Sequence, residues 1–103
     1  MKSYNVIFSP SFIEMLEDEL SHYITYSSTY ASKVEKRVYE AIELLKIFPY
    51  ATPTIKFRGD LEIYRKFIVY ERFLLVFKVL DDTIHLDYFI DGRRIPRNYF
   101  KLF

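Results

Sequence analysis

The sequence contains no cysteine, which excludes disulfide bonds, thiolate metal sites and cysteine nucleophiles. Its two glycines and four prolines are too few for a flexible linker or a low-complexity tract. The longest purely apolar run, Phe73 to Phe77, is far shorter than the roughly 20 residues that a membrane-spanning helix needs. The N-terminal residues lack the apolar stretch and cleavage site of a signal peptide. These absences favour a protein of the reducing cytoplasm.

The composition is that of one globular domain, which we place at residues 1–103. Half of the residues are hydrophobic and 28% are charged, so disorder is not expected. The net charge of +1 is unevenly divided, with a balance of −2 over residues 1–50 and +3 over residues 51–103. An anionic partner would therefore dock on the C-terminal half, although ordinary surface charge also explains the difference.

A strand at residues 3–8 and a helix after it are predicted at the N-terminus. Ser9 is a candidate N-cap because Pro10, which favours the first helical position, comes next. This helix is predicted to end near Tyr26. Its apolar stripe lies at Ile13, Leu16, Leu20 and Tyr23.

A second helix is predicted from about Tyr30 to Phe48, where Pro49 stops it. Its apolar stripe is the clearest periodic pattern in the chain and lies at Val34, Val38, Ala41, Leu45 and Phe48. Two amphipathic helices with a short break between them predict a helical hairpin that needs a partner surface.

Three strands are predicted after a loop at residues 49–62. They run from Ile63 to Val69, from Arg72 to Leu80 and from Thr83 to Ile90. The middle strand is almost continuously hydrophobic, so we expect it to be covered on both faces. The short gaps between the strands predict an antiparallel meander. The predicted fold is α+β, with the helical hairpin covering one face of the sheet.

The last strand alternates between two sets of residues. Ile84, Leu86, Tyr88 and Ile90 alternate with His85, Asp87, Phe89 and Asp91. This pattern predicts one apolar face and one face that is polar apart from Phe89. His85 on the polar face is a weak candidate for a general base, because no partner is placed beside it by spacing. No spacing of histidines and carboxylates indicates a metal site, and we expect no metal and no cofactor.

Five segments, in order along nearly the whole chain, carry a resemblance to a known family. They are Leu45-Lys46-Ile47-Phe48-Pro49, Tyr64-Arg65-Lys66, the strand FLLVFKV at 73–79, the Asp81-Asp82 turn, and Ile90-Asp91-Gly92-Arg93-Arg94. Their order and spacing resemble the RelE/ParE superfamily of bacterial toxins, which belong to type II toxin–antitoxin systems.

The resemblance implies a β-α-α-β-β-β toxin domain that an antitoxin protein neutralises. RelE-like members are mRNA interferases that enter the ribosome and cut mRNA, which inhibits translation and arrests growth. ParE-like members inhibit DNA gyrase without catalysis. The expected partners are therefore the antitoxin and either ribosome-bound mRNA or gyrase, with no membrane and no small-molecule cofactor.

The resemblance also assigns roles to residues. For an endoribonuclease it places Arg65, Arg94 and Tyr99 at catalytic positions, with Phe100 in place of Tyr99 if the alignment shifts by one. Cleavage through the RNA's own 2′-OH needs a base, an acid and cations for the developing phosphorane charge. It further implies contact with RNA or another target for Arg93, Arg97 and Lys66.

Two positions depart from the pattern of the catalytic members. Leu74 stands where the family has a catalytic arginine, and Phe67 stands where it has a lysine on the preceding strand. One such cation can be worth about 10²–10³-fold in rate. The departures leave two alternatives open, a gyrase inhibitor that needs no catalysis and a degenerate toxin that only binds its antitoxin.

Overall fold

The computed structural model describes residues 3–57, 63–93 and 100–102 of the chain. In order, the elements are β1 (Asn5–Phe8), α1 (Pro10–Ile24), α2 (Ser28–Leu45), a 3₁₀ turn (Pro49–Ala51), β2 (Thr54–Phe57), β3 (Tyr64–Val69), β4 (Phe73–Leu80), β5 (Thr83–Asp91) and β6 (Phe100–Leu102). The predicted α+β class is confirmed. None of the helices within these ranges is long and apolar enough to cross a membrane.

The strands of the described ranges form one mixed sheet in the order β1-β5-β4-β3-β2-β6. β1 runs parallel to β5, and the other neighbouring strands are antiparallel. The predicted sheet was too small, because β2 lies inside the predicted loop 49–62 and β6 lies inside the predicted tail. β2 pairs with β3 on one side and with β6 on the other. Because β2 and β6 are both short, local propensity gives little sign of them.

The two helices pack against one face of the sheet, as predicted. Val34, Val38, Ala41 and Leu45 of the α2 stripe are buried in the same core cluster as Phe73, Leu75 and Phe77 of β4. β4 is also covered on its other face, where Leu74 and Val76 are buried with Ile55 and Tyr64. The prediction that this strand is buried on both sides is therefore confirmed.

The predicted start of α1 is confirmed, but its apolar stripe begins one residue earlier than predicted. Ser9 is the N-cap, and its hydroxyl accepts a hydrogen bond of 3.1 Å from the Phe12 amide. Phe12 is fully buried against Phe89, whereas Ile13, predicted as the first residue of the stripe, is 43% exposed. Because the helix begins at Pro10, Phe12 rather than Ile13 faces the sheet.

The end of α2 was predicted three residues too late. The helix ends at Leu45, and Ile47 and Phe48 are exposed. The Lys46 carbonyl accepts a hydrogen bond of 2.9 Å from the Tyr4 amide, next to β1. The residue after α2 therefore bonds to the segment before β1. The apolar periodicity of the sequence continues for about one turn beyond the end of the helix.

A β-bulge at Asp87 changes which residues of β5 face the helices. The residues of β4 that pair with Leu86 and Tyr88 are consecutive, so Asp87 is an extra residue in the register of β5. Beyond the bulge Phe89 is buried in the core beneath the helices, while Tyr88 and Ile90 pack on the opposite face. The predicted strict alternation was wrong because one inserted residue reverses the side-chain phase.

The N-terminus of α1 holds this bulge in place. The hydroxyls of Ser9 and Ser11 both donate to the Asp87 carbonyl, at 3.1 and 2.8 Å. A bulge leaves a carbonyl without its usual partner in the sheet, and these two serines supply the missing donors. Ser9 thus stabilises the first turn of α1 and the bulge at once.

Replacing Ser9 by alanine is expected to lower the free energy of unfolding by about 1–2 kcal/mol. The change removes the cap of the Phe12 amide and one of the two donors to the Asp87 carbonyl. Urea unfolding measures the difference. Ser32→Ala, at an exposed position of α2, is the matched control and should change stability by less than about 0.5 kcal/mol. Equal effects of the two substitutions would contradict this role of Ser9.

Candidate nucleic-acid interface

We call the face of the sheet opposite α1 and α2 the far face. Its centre is apolar, with Ile55, Tyr64, Leu74 and Val76 buried and with Tyr88 and Ile90 packed against them. Cross-strand pairing places Lys66 beside Val76 and Val76 beside Tyr88. It also places Lys78 beside His85, one row further along the strands.

Five side chains of the far face form a mixed basic and aromatic group, which we call the far-face cluster. Its members are Tyr64, Lys66, Lys78, His85 and Tyr88. Residues paired across neighbouring strands project to the same side of the sheet, so the cluster is a product of the strand register. The lysines and the histidine are partly exposed.

Contacts within the cluster hold Lys78 over the sheet. Its Nζ lies 5.6 Å from the ring centroid of Tyr64 and 3.8 Å from Oδ2 of Asp87. The ring centroids of Tyr64 and Tyr88 lie 6.0 Å apart. The bulge residue therefore orients a cation of the cluster with its carboxylate, while its carbonyl binds the serines of α1.

The far-face cluster has the chemistry of a surface for single-stranded nucleic acid. Lysine ammonium groups attract phosphates, and a partly exposed tyrosine ring such as that of Tyr88 can stack a base of any sequence at about 1–3 kcal/mol. The imidazole of His85 can accept or donate a proton.

Arg65 and Lys66 lie on opposite faces of β3, although they are neighbours in the sequence. Arg65 donates hydrogen bonds to the carbonyls of Thr52, at 2.7 Å, and Tyr50, at 3.4 Å. Its guanidinium also lies 4.8 Å from the ring centroid of Tyr50. Arg65 therefore stabilises the segment before β2, and the structure does not place it in the far-face cluster that contains Lys66.

The two departures from the family pattern occupy different surroundings. Leu74 is buried on the far face, next to Val76 of the same strand face. Phe67 faces the helices and packs against the main core. A cation at the position of Phe67 would meet apolar side chains, so this position contributes to packing.

Arg93 follows an ion pair at the end of β5. The carboxylate of Asp91 is fully buried; its Oδ2 accepts a hydrogen bond of 3.0 Å from Nε of Arg72 and forms an ion pair with Nη2 at 3.0 Å. The other oxygen accepts from the Arg93 amide at 3.0 Å, and the Arg93 guanidinium lies 3.5 Å away but is mostly exposed. The chain direction after β5 is thus set by Asp91.

Arg72 is itself enclosed by aromatic rings. Its guanidinium lies 4.7 Å from the ring centroid of Tyr23 and 5.0 Å from that of Phe73. The Arg72 carbonyl accepts from the Gly92 amide at 2.8 Å, and a Cβ on Gly92 would come within 3.0 Å of that oxygen. A side chain at this position would force the Arg72 carbonyl to shift by a few tenths of an ångström, so glycine is favoured where the strand ends.

The chain matches no family model and no curated protein sequence. The assignment of a function thus depends on the residues and their arrangement. Within the described ranges no group of three or more histidine, cysteine, aspartate or glutamate residues could hold a metal ion. Arg94, Arg97 and Tyr99 lie outside the described residues, and their assigned roles stay predictions.

Lys66 was predicted from the sequence to contact a target, whereas no such role was predicted for Lys78, Tyr64 or Tyr88. Tyr88 was assigned to the apolar side because strict alternation placed it with Leu86. One signal pointed to the error, since alternation left Phe89 alone on an otherwise polar face. A large aromatic residue out of phase is the mark of an inserted residue in a strand.

Replacing Asp91 by asparagine should lower the free energy of unfolding by about 2–4 kcal/mol at neutral pH. Burial raises the pKa of Asp91, but hydrogen bonds from the Arg93 amide and the Arg72 and Arg93 side chains outweigh it, so the pKa lies below its ordinary value of 3.8. The carboxylate therefore stabilises the fold above pH 3.8, and this contribution is lost as the pH falls through the lower pKa of the folded state.

Urea unfolding of both proteins at neutral pH and at about pH 3 measures this difference, which should shrink at the lower pH. Asp81→Asn is the matched control, because Asp81 is exposed and asparagine tolerates its positive φ of 56°. A difference between the wild-type and Asp91→Asn proteins that is constant with pH would show that the Asp91 charge does not stabilise the fold.

Proposed function

We propose that this chain is the toxin of a type II toxin–antitoxin pair and that it acts as an mRNA interferase through the far-face cluster. The segments at 64–66, 73–79 and 90–94 resemble the RelE/ParE superfamily in order and spacing. The observation that carries the proposal is the position of Lys66, Lys78 and His85 on the sheet face that the helices leave uncovered.

The proposed reaction is transesterification within the RNA. The 2′-oxygen attacks the adjacent phosphorus, a 2′,3′-cyclic phosphate forms, and the 5′-oxygen leaves and takes up a proton. Lys66 and Lys78 stabilise the negative charge on the phosphorane oxygens. His85 moves a proton at the 2′-hydroxyl or the leaving oxygen. Arg94 and Tyr99 retain the catalytic roles that the resemblance implies.

The aromatic members of the cluster serve to hold the substrate. Tyr88 is the partly exposed ring beside the two lysines, and its centroid lies 6.0 Å from that of the buried Tyr64. A base stacked on Tyr88 would bring its phosphodiester linkage over the ammonium groups, and positioning of this kind accounts for much of the rate of phosphate chemistry. The partners of this function are ribosome-bound mRNA and a neutralising antitoxin in the cytoplasm.

A second candidate is a toxin without nuclease activity, either a gyrase inhibitor or a chain that only binds its antitoxin. It is favoured by the apolar surroundings of Leu74 and by the engagement of Arg65 with backbone carbonyls. Leu74 thus stands where the catalytic pattern has an arginine, and Arg65, at another position of the pattern, is bound to backbone carbonyls. Under this alternative the basic residues after Gly92 contact a protein target.

Induction of the intact chain in a bacterial host should arrest growth and produce breaks at regular codon positions in translated mRNA. Primer extension on total RNA maps these breaks, and Arg94→Ala should abolish them. Growth arrest with intact mRNA and with inhibited supercoiling by purified gyrase would support the gyrase alternative. No growth arrest at all would favour the chain that only binds its antitoxin.

Replacing Lys78 by alanine should lower the rate of mRNA cleavage by about 10²-fold, since one of the cations proposed to stabilise the phosphorane is removed. Toxin titrated into a reconstituted translation reaction provides the rate. Lys46→Ala, which changes a lysine at the end of α2 that pairs with Glu43, is the matched control and should cleave normally. Unchanged cleavage by a folded Lys78→Ala protein would remove the far-face cluster from the mechanism.

A further inference from the structure

The outer edge of β3 is only partly used by the sheet. β2 pairs with Tyr64 and Arg65, and the Lys66 amide donates to the Pro53 carbonyl at 3.0 Å. Since backbone groups of alternate residues point to the same side of a strand, the amide and carbonyl of Ile68 point outward as well. No strand of the described ranges pairs with them, and Ile68 is 53% exposed.

A groove lies along this edge, between β3 and α2. Its volume is about 210 Å³. It is lined by two charged residues, Arg37 and Glu40, and by Ala41, Leu44, Phe67, Ile68, Val69 and Tyr70. A lining that combines apolar and charged side chains suits an extended peptide in which both kinds of side chain alternate.

The charge beside the groove is mainly positive. A shallow hollow that shares Arg37, Glu40 and Tyr70 with the groove is also lined by Lys33 and Lys36. The Arg37 guanidinium lies 5.5 Å from the ring centroid of Tyr70, so its position is supported by the turn after β3. Three cations against one carboxylate favour an acidic occupant.

We propose that an acidic peptide segment binds here in extended conformation and adds a strand to the outer edge of β3. The peptide backbone pairs with the amide and carbonyl of Ile68, and its apolar side chains enter the groove toward Ala41 and Phe67. Its carboxylates meet Lys33, Lys36 and Arg37. The groove lies on the α2 side of the sheet, whereas the Ile68 side chain projects from the far face, two residues along β3 from Lys66. The proposal does not depend on the mRNA reaction.

The backbone groups of Ile68, which no strand of the described ranges pairs with, decide between an extended and a helical occupant. A helix has no main-chain groups to offer to Ile68, whereas a strand satisfies both of them. Exposed sheet edges are normally protected, because they invite pairing with other chains. The tight turn at Tyr70 and Glu71, both at positive φ, closes the edge at one end and limits the added strand to a few residues.

The test uses the intact chain and a fluorescent peptide of about eight residues that alternates glutamate and valine. Fluorescence anisotropy should show saturable binding, and hydrogen exchange followed by NMR should show slower exchange of the Ile68 amide in the complex. A peptide that alternates lysine and valine should not bind. Equal binding of both peptides, or unchanged exchange at Ile68, would overturn the proposal.

Two substitutions separate the backbone contact from the charge contact. Ile68→Pro removes the outward amide, is tolerated at a strand edge, and should abolish binding without loss of the fold. Lys36→Glu should weaken binding by about three- to tenfold, while Lys46→Glu, at the end of α2, should not. If Ile68→Pro does not fold, the proposal is still tested by the affinities of Lys36→Glu and Lys46→Glu and by hydrogen exchange of the Ile68 amide.

A second copy of the chain is the competing occupant of this edge. Sedimentation of the chain alone and with the acidic peptide distinguishes the two cases. Dimers that persist at a saturating concentration of the peptide would assign the edge to self-association and overturn the proposal.

Discussion

The phase of β5 depends on the hydrogen bonds that Ser9 and Ser11 donate to the Asp87 carbonyl. They hold an extra residue in the strand, and this residue turns Phe89 toward the helices and Tyr88 toward the far face. Without the bulge, a large aromatic residue would leave the core and Tyr88 would enter it. The helix cap thus determines the composition of a surface on the other side of the sheet.

The register of β5 against β4 therefore determines both which side chains of β5 enter the core and which lie in the candidate interface. Leu86 and Phe89 are buried beneath the helices, while His85 and Tyr88 lie on the far face. The same bulge residue orients Lys78 through its carboxylate. A surface made in this way is rigid, because its side chains stand on neighbouring strands rather than on loops, and such rigidity favours precise positioning of a phosphate.

Much of the fold could be predicted because its signals are local. The α2 stripe from Val34 to Leu45 repeats at helical spacing, and Ser9 with Pro10 marks a helix start. The candidate site could be predicted only in part. Lys66 was identified through the resemblance, whereas Lys78 and Tyr88 depend on cross-strand pairs that involve residues far apart in the chain.

By itself, the sequence determined that two amphipathic helices form, that 73–80 is a buried strand, and that thiol chemistry is excluded. The tertiary structure decided that β1 runs parallel to β5, that β2 and β6 extend the sheet, and that Asp87 is a bulge. Helix signals arise from contacts three or four residues apart, which a sequence displays directly. Strand pairing and phase arise from contacts between distant segments, and their free energy exists only once the chain has folded.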